Sequence, residues 1–190
     1  MLAEFITADD MAVSNVTLTS GANSAGTFSS GHDVIGIAKG IVLSTGDVTQ
    51  IGQPNTDTEL SGDASGVPSA TIDSAMGVNS VDSTTLTFDF VAQGSSLYMN
   101  AIFASEEYPS TLPYAASDKV VVVIDDLATS GTTVDFSVVE PSVGVHVSSS
   151  EVHNGDLFGI DPKNAHLYND NSIEYSGPAL NDFYSDGNTK

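Results

Sequence analysis

Apolar positions along the chain fall in short runs rich in Val, Ile, Thr and Phe, each closed by Gly, Ser, Asn or Asp. This is the strand-and-turn pattern of an all-β protein. The cleanest alternation covers 83–91, where Leu86, Phe88 and Phe90 face one way and Thr85, Thr87 and Asp89 the other. Residues 11–19 alternate imperfectly through Val13, Val16 and Leu18. A strand over 36–44 is predicted to end in a turn at Thr45, Gly46 and Asp47. Residues 96–104 form the next predicted strand, reached through a turn at 92–95. The uninterrupted apolar run within 119–124 predicts a central strand buried on both faces. Residues 134–139 and 143–147 predict a further pair around Pro141.

Two regions break the pattern. Residues 49–79 are polar, glycine-rich and acidic, and predict a long loop with one short helix near 72–76. A loop of that length in a compact domain is usually functional or ordered by a metal. Residues 155–190 are also loop-rich, with Tyr168, Tyr175, Phe183 and Tyr184 as anchors. No internal repeat and no linker-like boundary appears, so the expected organisation is a single domain over 1–190. The expected fold is a jelly-roll-like β-sandwich with long loops.

Charge then changes the picture. There are 25 Asp and Glu against 4 Lys and Arg, a net charge of -21, and all four cations are lysines. Such a surface repels nucleic acid and anionic membranes. It also opposes its own compaction, which bound divalent cations would offset. The absence of cysteine excludes disulfides and thiolate metal sites. Residues 1–10 carry Glu4, Asp9 and Asp10 and do not read as a signal peptide, and no run is apolar enough to span a membrane. The expectation is a piece of a larger secreted protein.

Catalytic patterns are weak. The four histidines are scattered, and neither a GxSxG elbow nor a phosphate loop occurs. Glu106 and Glu107 are adjacent, so in an extended segment their side chains point to opposite faces and cannot share one bond. No enzyme activity is expected.

Oxygen ligands for Ca²⁺ are dense in three regions. One holds Asp57, Glu59, Asp63 and Asp73; another holds Glu106 and Glu107, followed by Ser117 and Asp118; the last holds Asp170, Glu174, Asp182 and Asp186 among several Asn. By spacing alone each reads equally as a cation site or as a solvated acidic turn. The 104–118 segment favours the cation: an apolar strand runs into two carboxylates with no lysine before Lys119. Unpaired, they would cost desolvation.

The run TLTFDFVAQGSSLYMNAIFASEEYP, followed by SDKVVVVIDD, resembles the choice-of-anchor L family of bacterial surface domains. Phe88, Asp89 and Phe90 match its FDF strand, and residues 103–109 match its FASEEYP element. Asp118 leads the apolar strand after it, and residues 40–46 resemble its GIILSTG turn. Asn55 and Asp82 also fit, and Ile173, Glu174 and Tyr175 resemble an IEYDG turn in which Ser176 replaces the usual Asp. The likeness covers roughly 25–177; beyond it the chain departs from the family's final strand pair and reads GPALNDFYSDGNTK. Some members resemble the peptide-binding domains of giant RTX-type adhesins.

The resemblance implies an extracellular, calcium-dependent sandwich that grips peptide C-termini on a partner cell, for adhesion and biofilm formation. Several Ca²⁺ ions are expected, with Glu106, Glu107, Asp118, Asp73, Asp82, Asp57, Glu59, Asp63 and Glu174 as metal ligands. Tyr108, Tyr114, Ser117 and Tyr184 are expected to contact the ligand. A calcium-dependent lectin and a purely structural spacer are the alternatives. No membrane insertion is expected, and the isolated domain is expected to be monomeric.

Overall fold

The structure is a computed structural model that describes residues 11–54, 56, 62, 64–77, 79–95, 97–105 and 120–125, with five short strands further along. The class is all-β, with every described strand pairing antiparallel. The chain divides into two compact units that interleave along the sequence. One is Met1–Gln53, Ser61–Ala70 and Asn79–Ala101; the other is Pro54–Leu60, Thr71–Val78 and Ile102–Lys190.

The first unit holds two strand pairs. Strand β1 (Val13–Thr19) pairs with β4 (Thr85–Phe90), and β2 (Ala25–Ser29) with β3 (Lys39–Leu43). In β4 the predicted alternation puts Phe88 and Phe90 on one face, with ring centroids 6.2 Å apart. The imperfect alternation of β1 has a physical cause. Ser14 opposes Asp89 but Thr17 opposes Thr87, so β1 spends one residue more than β4. That is a β-bulge. Asn15 takes a left-handed φ of 51° there, and its Nδ2 donates to Asp89 Oδ2 at 2.5 Å. Asn tolerates this conformation; a β-branched residue does not. Asn15→Val is therefore expected to cost about 2 kcal/mol, and Asn15→Gly about 1 kcal/mol or less. Urea denaturation with an unchanged m-value measures both; equal losses would assign the bulge to the hydrogen bond alone.

The strand expected over 36–44 starts later. Helix α1 (His32–Ile35) occupies the connection, and Gly36, at φ 76°, is its left-handed C-cap, so β3 begins at Lys39. Four residues are too few for helical periodicity to show. Phe28 of β2 lies over Gly40 of β3; its Cε1 is 2.9 Å from where a Cβ of residue 40 would sit.

In the second unit, helix α2 (Ala70–Met76), whose first residue belongs to the other unit, agrees with the short helix expected near 72–76. Strand β5 (Ala104–Ser105), β6 (Val123–Asp125), β7 (Thr133–Asp135), β8 (Val138–Glu140), β9 (Val145–His146), β10 (Tyr168–Asp170) and β11 (Gly187–Thr189) follow. Two expectations are corrected here. Residues 97–103 have no ladder, and Leu97, Tyr98 and Met99 are exposed. An apolar run without alternation does not specify which face is buried, so it cannot fix a register. The 119–124 run gives only β6, paired with β7 and half-buried at Val123 and Ile124. β-Branched residues suit a strand on either face but do not say how many neighbours it has. The pair around Pro141 is realised as β8 with β9, while residues 133–135 turn to β6 instead.

Candidate functional site

Small polar side chains, rather than large apolar ones, make up the most enclosed positions of the first unit. Ser24, Ser69 and Ser83 are buried beside Ala64. They sit in loops that meet at the Ala25 end of β2 and the Thr85 end of β4. Backbone bonds tie these loops: Ala22 N–H to Ala64 O at 2.9 Å, Ala64 N–H to Thr45 O at 3.1 Å, Ser44 N–H to Ser24 O at 2.9 Å. Hydroxyls finish the knot. Ser24 Oγ donates to Gly21 O at 2.9 Å, and Ser83 Oγ to Val67 O at 2.5 Å. Thr84 Oγ1 donates to Ser44 O at 2.6 Å and lies 3.1 Å from Ser24 Oγ. Ser80 Oγ accepts from Ser69 N–H at 2.7 Å. Serine and threonine suit this task because each hydroxyl satisfies a loop carbonyl or amide that has no ladder partner.

Asp47 closes one side. Its Oδ1 accepts from Thr49 N–H at 2.9 Å and from Thr49 Oγ1 at 2.8 Å, starting the 3₁₀ turn Val48–Gln50. The Thr49 N–H, then the Thr49 hydroxyl, hold this exposed carboxyl below its ordinary range; burial opposes them and the Asn23 side chain assists.

Asp82 differs from its neighbours. The residue is half-buried, but its Oδ1 is closed to solvent and meets no hydrogen-bond donor among the described residues. The oxygen presses against Gly66. A Cβ at position 66 would collide with Asp82 Oδ1 and would lie 2.8 Å from Ser83 O. Two oxygens of one loop thus crowd the side-chain-free flank of another. The backbone nitrogen of Ser83 lies 3.0 Å from the same point, so this flank carries an amide nitrogen as well as the two oxygens. Among the described residues no three His, Asp or Glu side chains gather around a common point.

The second unit assembles part of the predicted calcium region through backbone register. Strands β10, β11 and β5 form one sheet in that order. Asp170 opposes Gly187, which opposes Ser105; Asn169 opposes Asn188, which opposes Ala104. The end of the FASEEYP strand therefore lies in register with two Asx-rich segments that are distant in sequence. Ser105, the residue before Glu106, is 4% exposed.

Of the other expected ligands, Asp73 lies in the first turn of α2, in the second unit, and its carbonyl accepts from Gly77 N–H at 2.9 Å. Asp82 belongs to the first unit. Asp57, Glu59, Asp63, Glu106, Glu107, Asp118 and Glu174 lie outside the described residues, as do Tyr108, Tyr114, Ser117 and Tyr184. The sequence reading missed Gly66 and the serine knot. The one available signal was the Gly- and Ser-rich composition of 61–69. No helix among the described residues is long and apolar enough to cross a membrane.

A family model, the Choice-of-anchor L domain, matches residues 1–190. No curated protein and no solved structure matches the chain.

Proposed function

We propose that this chain, which belongs to the choice-of-anchor L family, is a calcium-dependent β-sandwich module that captures peptide C-termini on a partner cell. The family is one of extracellular, surface- or anchor-related domains and is not an enzyme family. The finer reading places the chain in an RTX-type adhesin, serving attachment and biofilm formation.

One observation carries it: the register of β5 with β11 and β10. It brings the strand that ends just before Glu106 and Glu107 beside segments bearing Asp170, Asn188 and, one residue before β11, Asp186. With 4 lysines against 25 acids, at least 21 carboxylates have no lysine partner of their own. Repulsion among gathered carboxylates is relieved most directly by divalent cations. In the proposed site Asp118 and the carboxylates of Glu106 and Glu107, one on each face of the strand's end, hold Ca²⁺, and one such ion keeps a coordination position for a peptide carboxylate. Tyr108, Tyr114, Ser117 and Tyr184 pack the residues ahead of it. Asp57, Glu59, Asp63, Asp73 and Glu174 supply ligands to further ions. A bound cation gives a chain of charge -21 a positive centre for an incoming anion.

The test is binding of a C-terminal peptide library to the whole chain by calorimetry. A hit peptide is expected to bind with 1 mM calcium, to lose affinity at least about tenfold when its C-terminus is amidated, and to be released by EGTA. Glu106→Gln is expected to weaken calcium binding by about tenfold or more. Equal affinity of the amidated peptide would sink carboxylate capture. Binding that survives EGTA would sink the calcium dependence, and selective glycan binding would favour a lectin instead.

A further inference from the structure

We infer that residues 97–102 are an interaction strand that pairs antiparallel with the same residues of a second copy of this chain, about a two-fold axis at Asn100. This self-association goes beyond peptide capture and depends neither on the ions nor on where the peptide docks.

A run of large apolar side chains stands in solvent here. Tyr98 is 92% exposed, Met99 54% and Leu97 49%, and Asn100 and Ala101 beside them are exposed too. Contiguous apolar exposure of this kind marks an interaction surface. The backbone is equally unengaged: among the described residues, 97–102 join no ladder and make no backbone hydrogen bond. None of them takes a positive φ, and the run contains neither Gly nor Pro, so it can serve as a strand. Proteins normally guard such an edge with Lys, Pro or an inward-pointing charge. This one has no guard, for the chain carries no charged residue from Phe90 to Ser105.

Charge and sequence together name the occupant. Two chains of charge -21 repel wherever acids face acids, so copies approach at least cost where neither carries any. The run is also complementary to itself. Centred on Asn100, an antiparallel pair sets Tyr98 opposite Ile102, Met99 opposite Ala101 and Leu97 opposite Phe103. Each is apolar against apolar, an aromatic beside a β-branched residue or a long side chain beside a small one. Asn100 meets Asn100 of the second copy, and each amide can both donate and accept. A slip of one residue sets that amide against Met99 or Ala101 and leaves its hydrogen bonds unmade. With Asn100 in a hydrogen-bonded pair, Tyr98 and Ile102 form hydrogen-bonded pairs too, and the backbones of Met99, Ala101 and Phe103 are not called on. The run that fixes no face within its own chain thus has a defined register against a copy. One strand pair buries less than the about 1,200 Å² of stable complexes, so the dimer forms at micromolar concentration or above. The monomer expected of the isolated domain is then its dilute state.

Sedimentation velocity of the whole chain in 1 mM calcium, from about 1 to 100 µM, is the test. The mass is expected to rise with concentration from the 19.6 kDa of one chain toward twice that. Asn100→Glu sets like charges opposite each other at an exposed position and is expected to weaken the dimer at least about tenfold. Gln53→Glu, the same change of charge at another exposed position, is expected to leave the dimer unchanged. The register has its own readout, which stands even if Asn100→Glu does not fold. The chain has no cysteine, so a single one can be placed at will. A short bismaleimide is expected to join Asn100→Cys into covalent dimers but not Leu97→Cys, because the two copies of residue 97 would lie about 20 Å apart along the strand pair. A chain that stays monomeric across the range, an Asn100→Glu variant that dimerises as tightly as wild type, or equal cross-linking at 97 and 100 overturns the inference and leaves the peptide site standing.

Discussion

Gly21→Ala is expected to destabilise the protein by about 3 kcal/mol, one of the largest effects of any single-methyl change in the described residues. The added Cβ would overlap the carbonyl oxygen of Ala64, while lying 2.5 Å from its carbon and 2.9 Å from its Cβ. These are mostly backbone atoms, so no side chain can swing aside. Nor has the neighbouring backbone any slack. Ala64 is 8% exposed and bonded through both N–H and C=O, and Ser65 beside it already holds a left-handed φ of 56°. Moving either loop would break three bonds: Ala22 N–H to Ala64 O, Ala64 N–H to Thr45 O, and Ser24 Oγ to Gly21 O. At about 1 kcal/mol each, their loss accounts for the predicted figure. For a chain of 190 residues that is a drop of roughly 6–12 °C in melting temperature. Gly52→Ala is the control, since nothing lies within 4 Å of its Cβ position. It is expected to stay within about 0.5 kcal/mol of wild type. If the two variants melt together, the knot does not hold the first unit.

The same knot shows where sequence reading stops. Strand β4 was legible because its two faces differ chemically: Leu86, Phe88 and Phe90 alternate with Thr and Asp. Even the fault in β1 was visible as a lapse of alternation, although Asn15 had to be seen at positive φ to explain it. Strand β2 was missed because AGTFS carries a single large apolar residue, Phe28. The 96–104 run failed for the opposite reason, having too many apolar positions to define a face. Contacts such as Thr84 to Ser24, 60 residues apart, leave no periodic trace at all. Asp82 was picked out by its place ahead of the FDF strand, yet its sealed oxygen and the role of Gly66 depend on how two distant loops approach. Patterning reads what a strand does with its neighbours in sequence; it is blind to what a hydroxyl does across a fold.

Calcium withdrawal tests the proposal on the scale of the whole chain. Each site that is occupied at 100 times its dissociation constant adds about 2.7 kcal/mol to stability, or roughly 5–11 °C for a protein of this size. Transfer from 1 mM calcium into EGTA is therefore expected to lower the melting temperature by about that much for every such ion. Simple screening is the competing explanation, because 25 acids in 190 residues repel one another wherever they lie. The two differ in what relieves the repulsion. Screening depends on ionic strength, with a Debye length of about 10 Å at 0.1 M salt, and is indifferent to the identity of the cation. Site binding depends on free calcium and saturates. Sodium chloride matched in ionic strength is thus expected to recover only a minor part of the shift, and magnesium less than calcium, because Mg²⁺ demands tighter geometry and gives up its water reluctantly. Were sodium alone to restore the full melting temperature, the carboxylates would be a solvated coat, and the case for calcium at Glu106 would fall with it.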